Sequence, residues 1–201
     1  LDRLKNKYSK QLNENETENF KDNLKVINNQ IKQIEKLVNE FSDFARMPSP
    51  ILKKISLNEV IKRSVDFYKM STKNLIIEFK NSSKKDNFIK GDAEQLYRVF
   101  INLIKNSIEA IEDKKQKDTN LQGKINVEII KNNEYIVIKM LDNGIGFSET
   151  KNITKPYYTT KKDGTGLGLP IVTKIINEHS GEIHFIKKSK GAEINISLPI
   201  Y

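Results

Sequence analysis

The feature that most constrains this chain is a heptad pattern of apolar residues near its start. Between Phe20 and Ala45, apolar positions recur at alternating spacings of four and three residues. This pattern predicts one long amphipathic helix that packs against other helices. The positions are Phe20, Leu24, Ile27, Ile31, Ile34, Val38, Phe41 and Ala45.

A shorter apolar stripe precedes this helix. It consists of Leu1, Leu4, Tyr8 and Leu12, and the polar stretch NENETE at 13–18 separates the two stripes. The order predicts an antiparallel helical hairpin with a polar connection. Because one hairpin buries both stripes incompletely, we expect a second copy of the chain to complete a four-helix bundle. Packing of the hairpin against the rest of its own chain is the alternative.

Two prolines in the segment MPSP predict where the helical part ends. Pro48 and Pro50 disfavour further helix, so the sequence predicts a helical domain over 1–49 and a second domain over 50–201. In the second domain, Ser56 and Asp92 are positioned to cap two helices. A third helix is expected between Leu167 and Ser180, with Gly181 as its stop.

Strand patterns alternate with these helices. NLIIEF at 74–79 predicts a strand, FIKGD at 88–92 is expected to end in a turn, and two hairpins are expected around Asn132-Asn133 and around SKG at 189–191. Residues 143–165 are expected to form a long irregular loop. The predicted fold class is therefore α+β, a two-layer α/β sandwich whose antiparallel-rich sheet is covered by helices on one face.

Composition excludes several kinds of site and partner. The chain has no cysteine and only two histidines, which excludes disulfides and thiolate zinc sites and disfavours a histidine-based metal site. The net charge is +9, but the lysines are scattered among Glu and Asp, so we expect a solvated surface and no nucleic-acid partner. No apolar run is long enough to span a bilayer, so no membrane contact is expected in this segment.

Three motifs of the second domain have residue types suited to nucleotide chemistry. In NLIKNSIEA, Asn102, Asn106 and Glu109 form one polar stripe on a helix that is otherwise apolar. In LDNGIGF, Asp142 leaves a strand and enters a glycine-containing turn. In DGTGLGLPIV at 163–172, alternate glycines open a helix, and such turns allow backbone N–H groups to approach a phosphate.

Together with KPYYTTKKDG at 155–164, these motifs resemble in order the N, G1, F and G2 boxes of sensor histidine kinases. Their ATP-binding domain belongs to the superfamily that includes gyrase, Hsp90 and MutL. The segment LVNEFSDFARMPSP is similar to the end of the dimerisation helix of NtrY-like nitrogen-regulation kinases. The resemblance implies a Bergerat-type ATP-binding fold, preceded by the helical hairpin of a dimeric bundle.

The resemblance also implies a role for individual residues. Asn106 matches the amide that holds Mg²⁺, and Asp142 matches the carboxylate that accepts a hydrogen bond from the adenine amino group. Residues 147–165 match a mobile lid, in which Tyr157-Tyr158 match the aromatic pair and Lys161 matches the cation at the γ-phosphate. The implied nucleotide-binding set is Asn102, Asn106, Asp142, Gly144, Gly146, Lys155, Tyr158, Thr159, Thr160, Lys161, Gly164, Thr165, Gly166, Leu167, Gly168 and Leu169, with Lys162 as a further candidate cation.

The expected reaction is transfer of a phosphoryl group rather than hydrolysis. ATP-hydrolysing members of the superfamily carry a Glu at the position of Asn102, and an amide is not a general base. Glu109 departs from the family pattern. It lies where some of these kinases have a side chain that contacts phosphate, and a carboxylate does not bind phosphate directly. The resemblance implies transfer from ATP–Mg²⁺ to a His on the first bundle helix, then to an Asp of a response regulator receiver domain. That His is expected upstream of Leu1, and His179 and His184 are not expected to replace it.

The chain is thus expected to be the catalytic half of a sensor histidine kinase. The resemblance implies that it lies in the cytoplasmic portion of a bacterial inner-membrane sensor kinase. We expect this chain by itself to bind ATP without autophosphorylation. Two alternatives stay open at this point. One is an ATP-hydrolysing enzyme of the same fold, and the other is a dimerisation module that binds nucleotide only as a ligand.

Overall fold

The computed structural model describes residues 14–72, 74–83, 86–161 and 164–201. These residues form two compact units. One unit contains residues 14–47 with 160–161 and 164–165, and the other contains the described part of 48–159 together with 166–201. The first predicted apolar stripe, Leu1 to Leu12, and the candidate Lys162 lie outside the described residues.

The helical part of the first unit is one long helix, α1 (Glu14–Ala45). It corrects the predicted polar connection at 13–18, because residues 14–18 are already helical. Acidic residues are favoured in the first turn of a helix by its dipole, which explains why a polar stretch can belong to it. The heptad side chains from Ile27 to Phe41 are 41–62% exposed, so the described residues leave much of the apolar seam uncovered.

The second unit contains a five-stranded sheet, a two-stranded sheet and three helices. In chain order these are β1 (Lys53–Ser56), α2 (Leu57–Ser71), β2 (Leu75–Asn81), β3 (Phe88–Gly91), α3 (Ala93–Lys115), β4 (Gly123–Lys131), β5 (Tyr135–Asp142), α4 (Gly168–Glu178), β6 (Glu182–Lys187) and β7 (Ala192–Pro199). The large sheet has the order β2-β4-β5-β7-β6, and only the β2–β4 pair is parallel.

Alternation along the strands places one apolar face of the large sheet under the helices. In β4 the residues Ile125, Val127 and Ile129 are fully or almost fully buried, while their neighbours are partly exposed. The apolar stripe of α3 is buried as well, from Leu96 to Ile111. This arrangement confirms the predicted two-layer sandwich with an antiparallel-rich sheet.

Local sequence signals set most element ends. The Ser56 hydroxyl accepts from the Glu59 N–H, and the Asp92 carboxylate accepts from the N–H groups of Glu94 and Gln95, so both predicted caps are present. The first four residues of FIKGD form strand β3, which pairs with β1, and neither strand was predicted. Each of these strands has four residues, too few for a periodic pattern to reveal them, and their pairing is a long-range contact.

His179 joins two of these elements. Its Nε2 accepts from the Asp92 N–H at 2.9 Å, so its Nδ1 carries the proton and donates to the Ile175 carbonyl at 2.8 Å. The ring is 3% exposed at the end of α4. These contacts give His179 a structural role at the junction of α3 and α4. Within the described residues, no helix combines the length and apolarity needed to cross a bilayer.

Candidate nucleotide-binding site

The centre of the candidate site is Asp142, the last residue of β5. Its side chain lies under α3 and beside the start of β7, and the residue is 9% exposed. Oδ1 accepts from the Gly144 N–H at 2.9 Å and from the Ala192 N–H at 3.3 Å. Oδ2 accepts from the Ser107 hydroxyl at 3.0 Å. A buried carboxylate is therefore held in place by donors from three separate segments.

Burial and hydrogen bonding act on this carboxyl in opposite directions. Burial raises the pKa of Asp142, while the donors from Gly144, Ser107 and Ala192 and the positive charge of Lys114 lower it, and the net pKa is raised. Burial, which disfavours the charged form of the carboxyl, is the largest of these effects. Because burial disfavours its charge, an ionised Asp142 is stabilised by any further hydrogen bond that it accepts.

The turn after Asp142, residues 142–146, is fixed from several sides; we call it the acidic turn. The Asn143 side chain donates to the Gln122 carbonyl and accepts from the Lys124 N–H, both at 2.8 Å. The Lys114 ammonium donates to the carbonyls of Asn143 at 2.8 Å and Gly144 at 3.2 Å. These contacts hold the turn rigidly to the end of α3 and the start of β4.

Two glycines are required by the close packing of the acidic turn. A Cβ on Gly144 would lie 2.7 Å from the carbonyl carbon of Ala110. A Cβ on Gly191 would lie 1.8 Å from the Asp142 carbonyl oxygen, and Gly191 also has a φ of +80°. The β6–β7 turn therefore supports the acidic turn directly.

The amide stripe lies on α3. The Asn102 Nδ2 donates to the Arg98 carbonyl at 2.9 Å, and a Cβ on Gly168 would lie 3.4 Å from the Asn102 Oδ1. The start of α4 is thus adjacent to Asn102. Asn106 follows one turn later and is partly exposed. Glu109 forms an ion pair with Lys105 at 3.9 Å.

The donor set fits Mg²⁺ only together with a nucleotide. The described residues contain no group of three or more His, Cys, Asp or Glu side chains that could hold a metal ion. Asn106 offers one amide oxygen, a ligand of the type that Mg²⁺ prefers. Because Mg²⁺ commonly completes its shell with substrate phosphates and water, one protein oxygen is compatible with a metal that arrives with ATP.

The loop that follows, residues 147–165, is the predicted lid loop. Its described residues contain no helix or strand, as predicted. In the second unit, Phe147 packs edge-on against Phe185 with 5.8 Å between ring centroids, and Ile153 is 8% exposed. Tyr157 has a φ of 66°, and its N–H donates to the Gly166 carbonyl at 3.1 Å. Thus the loop has apolar anchors at Phe147 and Ile153 and a backbone contact near its end.

The predicted site residues fall in two groups. Most of them belong to the second unit. They are Asn102, Asn106, Asp142, Gly144, Gly146, Lys155, Tyr158, Thr159, Gly166, Leu167, Gly168 and Leu169. Thr160, Lys161, Gly164 and Thr165 belong to the first unit, where the Thr165 hydroxyl donates to the Glu40 carboxylate. Their roles toward a nucleotide stay predictions.

Sequence reasoning missed the residues that support Asp142. Four residues outside the acidic turn contact it, and Asn143 within the turn joins it to Lys124; none of these contacts was predicted. The four are Ser107, Lys114, Gly191 and Ala192. A signal existed for Ser107, because it occupies a position in the apolar stripe of α3. A hydroxyl at such a position needs a partner. The other residues carry no comparable signal.

Comparison with known proteins shows which family this chain resembles. Residues 91–201 match the model of the histidine kinase-, DNA gyrase B-, and HSP90-like ATPase family. A putative sensor histidine kinase of the NtrY-like type from Rickettsia felis is 33% identical over 202 residues, which cover 99% of this chain and 32% of that protein. The chain thus spans about a third of that relative's length.

Solved structures agree with this result. The catalytic domain of histidine kinase ThkA has a TM-score of 0.64 and 27% identity, and the match covers 74% of this chain and 95% of that one. A structure of ThkA in complex with the response regulator TrrA has a TM-score of 0.71 at 24% identity, covering 96% and 54%. The resemblance to NtrY-like sensor histidine kinases predicted from the sequence motifs is confirmed.

Proposed function

The chain belongs to the histidine kinase-, DNA gyrase B-, and HSP90-like ATPase family, and from this premise we propose that it binds ATP–Mg²⁺ and supplies the phosphoryl group for a histidine kinase reaction. The observation that carries the proposal is the buried, acceptor-only carboxylate of Asp142. It lies at the end of a strand beside a glycine turn and keeps acceptor capacity on Oδ2. An exocyclic amino group, as in adenine, is a matching donor.

The start of α4 supports a phosphate site. Leu167 is the N-cap and makes no side-chain capping hydrogen bond, whereas α2 and α3 are capped by Ser56 and Asp92. The first N–H groups of a helix lack intrahelical partners and favour anions. We assign the triphosphate to the segment from Gly164 to Leu169, with Lys155 and Lys161 as cations from the lid loop.

Mg²⁺ bound with the nucleotide would neutralise phosphate charge and orient the phosphates. Asn106 is the protein residue that we assign to it. Tyr158 and Thr159 are assigned to the lid contacts with the nucleotide.

The residue at Asn102 favours transfer over hydrolysis. Its amide donates to the Arg98 carbonyl, and an amide is not a base that can activate water. Phosphoryl transfer depends mainly on alignment and charge neutralisation, so a positioned imidazole suffices as nucleophile. We propose a His on a bundle helix as the acceptor, followed by an Asp of a receiver domain, in keeping with the ThkA–TrrA complex.

The exposed seam of α1 supports homodimerisation. The double substitution Ile31→Asp and Ile34→Asp would introduce charge into this seam and is expected to abolish self-association. Sedimentation should detect self-association of the unmodified chain that the double variant lacks. If the unmodified chain is monomeric at every accessible concentration, the predicted four-helix bundle is wrong.

Calorimetry with Asp142→Asn tests the base contact. The amide replaces an acceptor by a group that also donates, and loss of a charge-assisted hydrogen bond costs about 1.5–3 kcal/mol, or roughly 10- to 150-fold in ATP affinity. Glu149→Gln, a matched change at a partly exposed carboxylate of the lid loop, should alter the affinity by less than about threefold. Undiminished affinity in Asp142→Asn would refute the site.

Radiolabelled ATP tests the reaction. The chain joined to a bundle helix with a phosphoacceptor His should gain acid-labile label, and Asn106→Asp in that protein should reduce it. The chain alone should gain no label and should release phosphate slowly. Rapid phosphate release would favour the hydrolysing ATPase, and binding without transfer in the extended protein would favour the nucleotide-binding dimerisation module.

A further inference from the structure

We propose that Ser107 is a positioning residue that makes Asp142 selective for an amino-bearing purine. Its hydroxyl fixes one oxygen of the carboxylate as an acceptor with a single open position. The inference rests on the proposed function, in which Asp142 contacts the base. It gives Ser107, a residue of the NLIKNSIEA motif to which the sequence analysis assigned no role, a part in base specificity.

The location of Ser107 supports a dedicated contact. The residue is 3% exposed and lies in the apolar stripe of α3, where it faces the end of β5. Its hydroxyl proton is directed to the Asp142 Oδ2 at 3.0 Å, across 35 positions of sequence. A hydroxyl buried among Leu, Ile and Val side chains is costly without a partner, and this partner is the candidate base-binding group.

Counting acceptor positions shows what the hydroxyl changes. A carboxylate has about four in-plane acceptor positions. The two positions of Oδ1 are used by the N–H groups of Gly144 and Ala192, and one position of Oδ2 is used by Ser107. One position of Oδ2 is left for a ligand. It accepts a single N–H and offers nothing to a carbonyl oxygen.

Removal of the hydroxyl would alter this selectivity. Without Ser107, Oδ2 loses the one donor that the described part of the chain gives it, while Oδ1 keeps both of its donors. Protonation of Oδ2 becomes easier, and a protonated Oδ2 donates to a carbonyl, such as that of hypoxanthine. Lys114 is the charged neighbour whose field opposes this protonation, and it donates to the backbone carbonyls of Asn143 and Gly144.

Ser64 provides a matched control. It is fully buried on the neighbouring helix α2, and its hydroxyl donates to the Val60 carbonyl of the same helix at 2.9 Å. Ser64→Ala therefore removes a buried hydroxyl from the helical layer without a contact to Asp142. Both substitutions introduce alanine, the residue with the best helix propensity.

The experiment measures binding of ATP and ITP to the 201-residue chain by calorimetry between pH 5.5 and 8. For Ser107→Ala we expect ATP affinity about tenfold lower and the ATP-to-ITP preference smaller, most of all at the acid end. Ser64→Ala should change neither quantity by more than about twofold, since it leaves every donor to Asp142 in place. A Ser107→Ala protein with unchanged affinity and preference overturns the inference.

A double-mutant cycle separates positioning from a general structural effect. If Ser107 acts through Asp142, Ser107→Ala should reduce ATP affinity by less than about twofold in the Asp142→Asn background. An equal loss in both backgrounds would mean a structural role and would overturn the inference. If Asp142→Asn itself binds ATP normally, the proposed function fails, and this outcome is distinct from a failure of the Ser107 contact alone.

Discussion

The acidic turn at 142–146 and the first part of the lid loop at 147–159 are adjacent in sequence and equally irregular, yet they are held in different ways. The acidic turn receives hydrogen bonds from α3, from the start of β4 and from the start of β7. The backbone bonds within the lid loop are mostly local, from Lys155 to Asn152 and from Tyr158 to Lys155.

In the proposed nucleotide site, this difference corresponds to two different roles. A group that discriminates between bases must be in place before the ligand arrives, because its geometry sets the selectivity. A segment that covers phosphates must let the ligand enter, so it is formed by residues whose contacts open at low cost. We expect the acidic turn to be preorganised and the lid loop to respond to nucleotide.

The largest predicted effect concerns two glycines with positive φ. Gly191→Ala would drive a Cβ into the Asp142 carbonyl, which is fixed by the acidic turn, so we expect a loss of about 3–5 kcal/mol in the free energy of unfolding. Gly166→Ala would meet the backbone of Tyr157 at 2.5 Å, but that backbone lies in an exposed loop that can shift. Its cost should be about 1–2 kcal/mol, the strain of alanine in this conformation.

Urea unfolding followed by circular dichroism measures both values. Gly168→Ala is the control, because its Cβ makes only an ordinary contact with Asn102 at 3.4 Å, and it should cost less than about 1 kcal/mol. Equal losses for the changes at Gly191 and Gly166 would contradict the distinction between the two regions.

A second, smaller effect is expected in amide hydrogen exchange. The N–H groups of Asn143, Gly144 and Ile145 already have partners, so ATP–Mg²⁺ should change their exchange by less than about twofold. Amides at 147–159 should slow by about tenfold or more when nucleotide orders the loop. Protection of the lid loop that is the same with and without nucleotide would refute its proposed role.

The smallest predicted effect is on the pH dependence of ATP binding. The pKa of Asp142 is raised by burial above the ordinary value of 3.8, and binding uses the ionised form, so affinity should decline as pH falls toward this raised pKa. The pKa of Glu149 is lowered by hydrogen bonds from Tyr158 and Asn152, so this carboxylate of the lid loop stays ionised over the same range.

Calorimetry on three proteins checks this assignment. Glu149→Gln should keep the acid decline of the unmodified chain, and Asp142→Asn should lose the component due to Asp142, leaving the titration of the phosphates. The effect on the free energy of unfolding has the opposite sign to the effect on affinity. Because the folded-state pKa of Asp142 is raised, its ionisation destabilises the fold above that pKa, and this penalty is relieved as pH falls through it toward 3.8. An identical pH profile in Asp142→Asn would assign the decline to another group.

Much of the fold was predictable because it depends on neighbours in sequence. The caps at Ser56 and Asp92 bond to N–H groups two or three positions away, and the Asn132 carboxamide accepts from Glu134 and Tyr135 in the β4–β5 hairpin. The order of the four boxes was sufficient to identify the family. The division at 49/50 and the nucleotide contacts of the individual site residues stay predictions.

The sequence by itself determined which residues share a face, where two helices begin and which family the chain resembles, because spacing, capping and motifs each act within a few residues. Only the tertiary structure decided which buried groups meet. Ser107 reaches Asp142 across 35 positions, Ala192 reaches it across 50, and His179 reaches Asp92 across 87. A periodic pattern marks a side chain as buried but does not name its partner. The partner of Asp142 is set by how α3 and β7 pack against the end of β5.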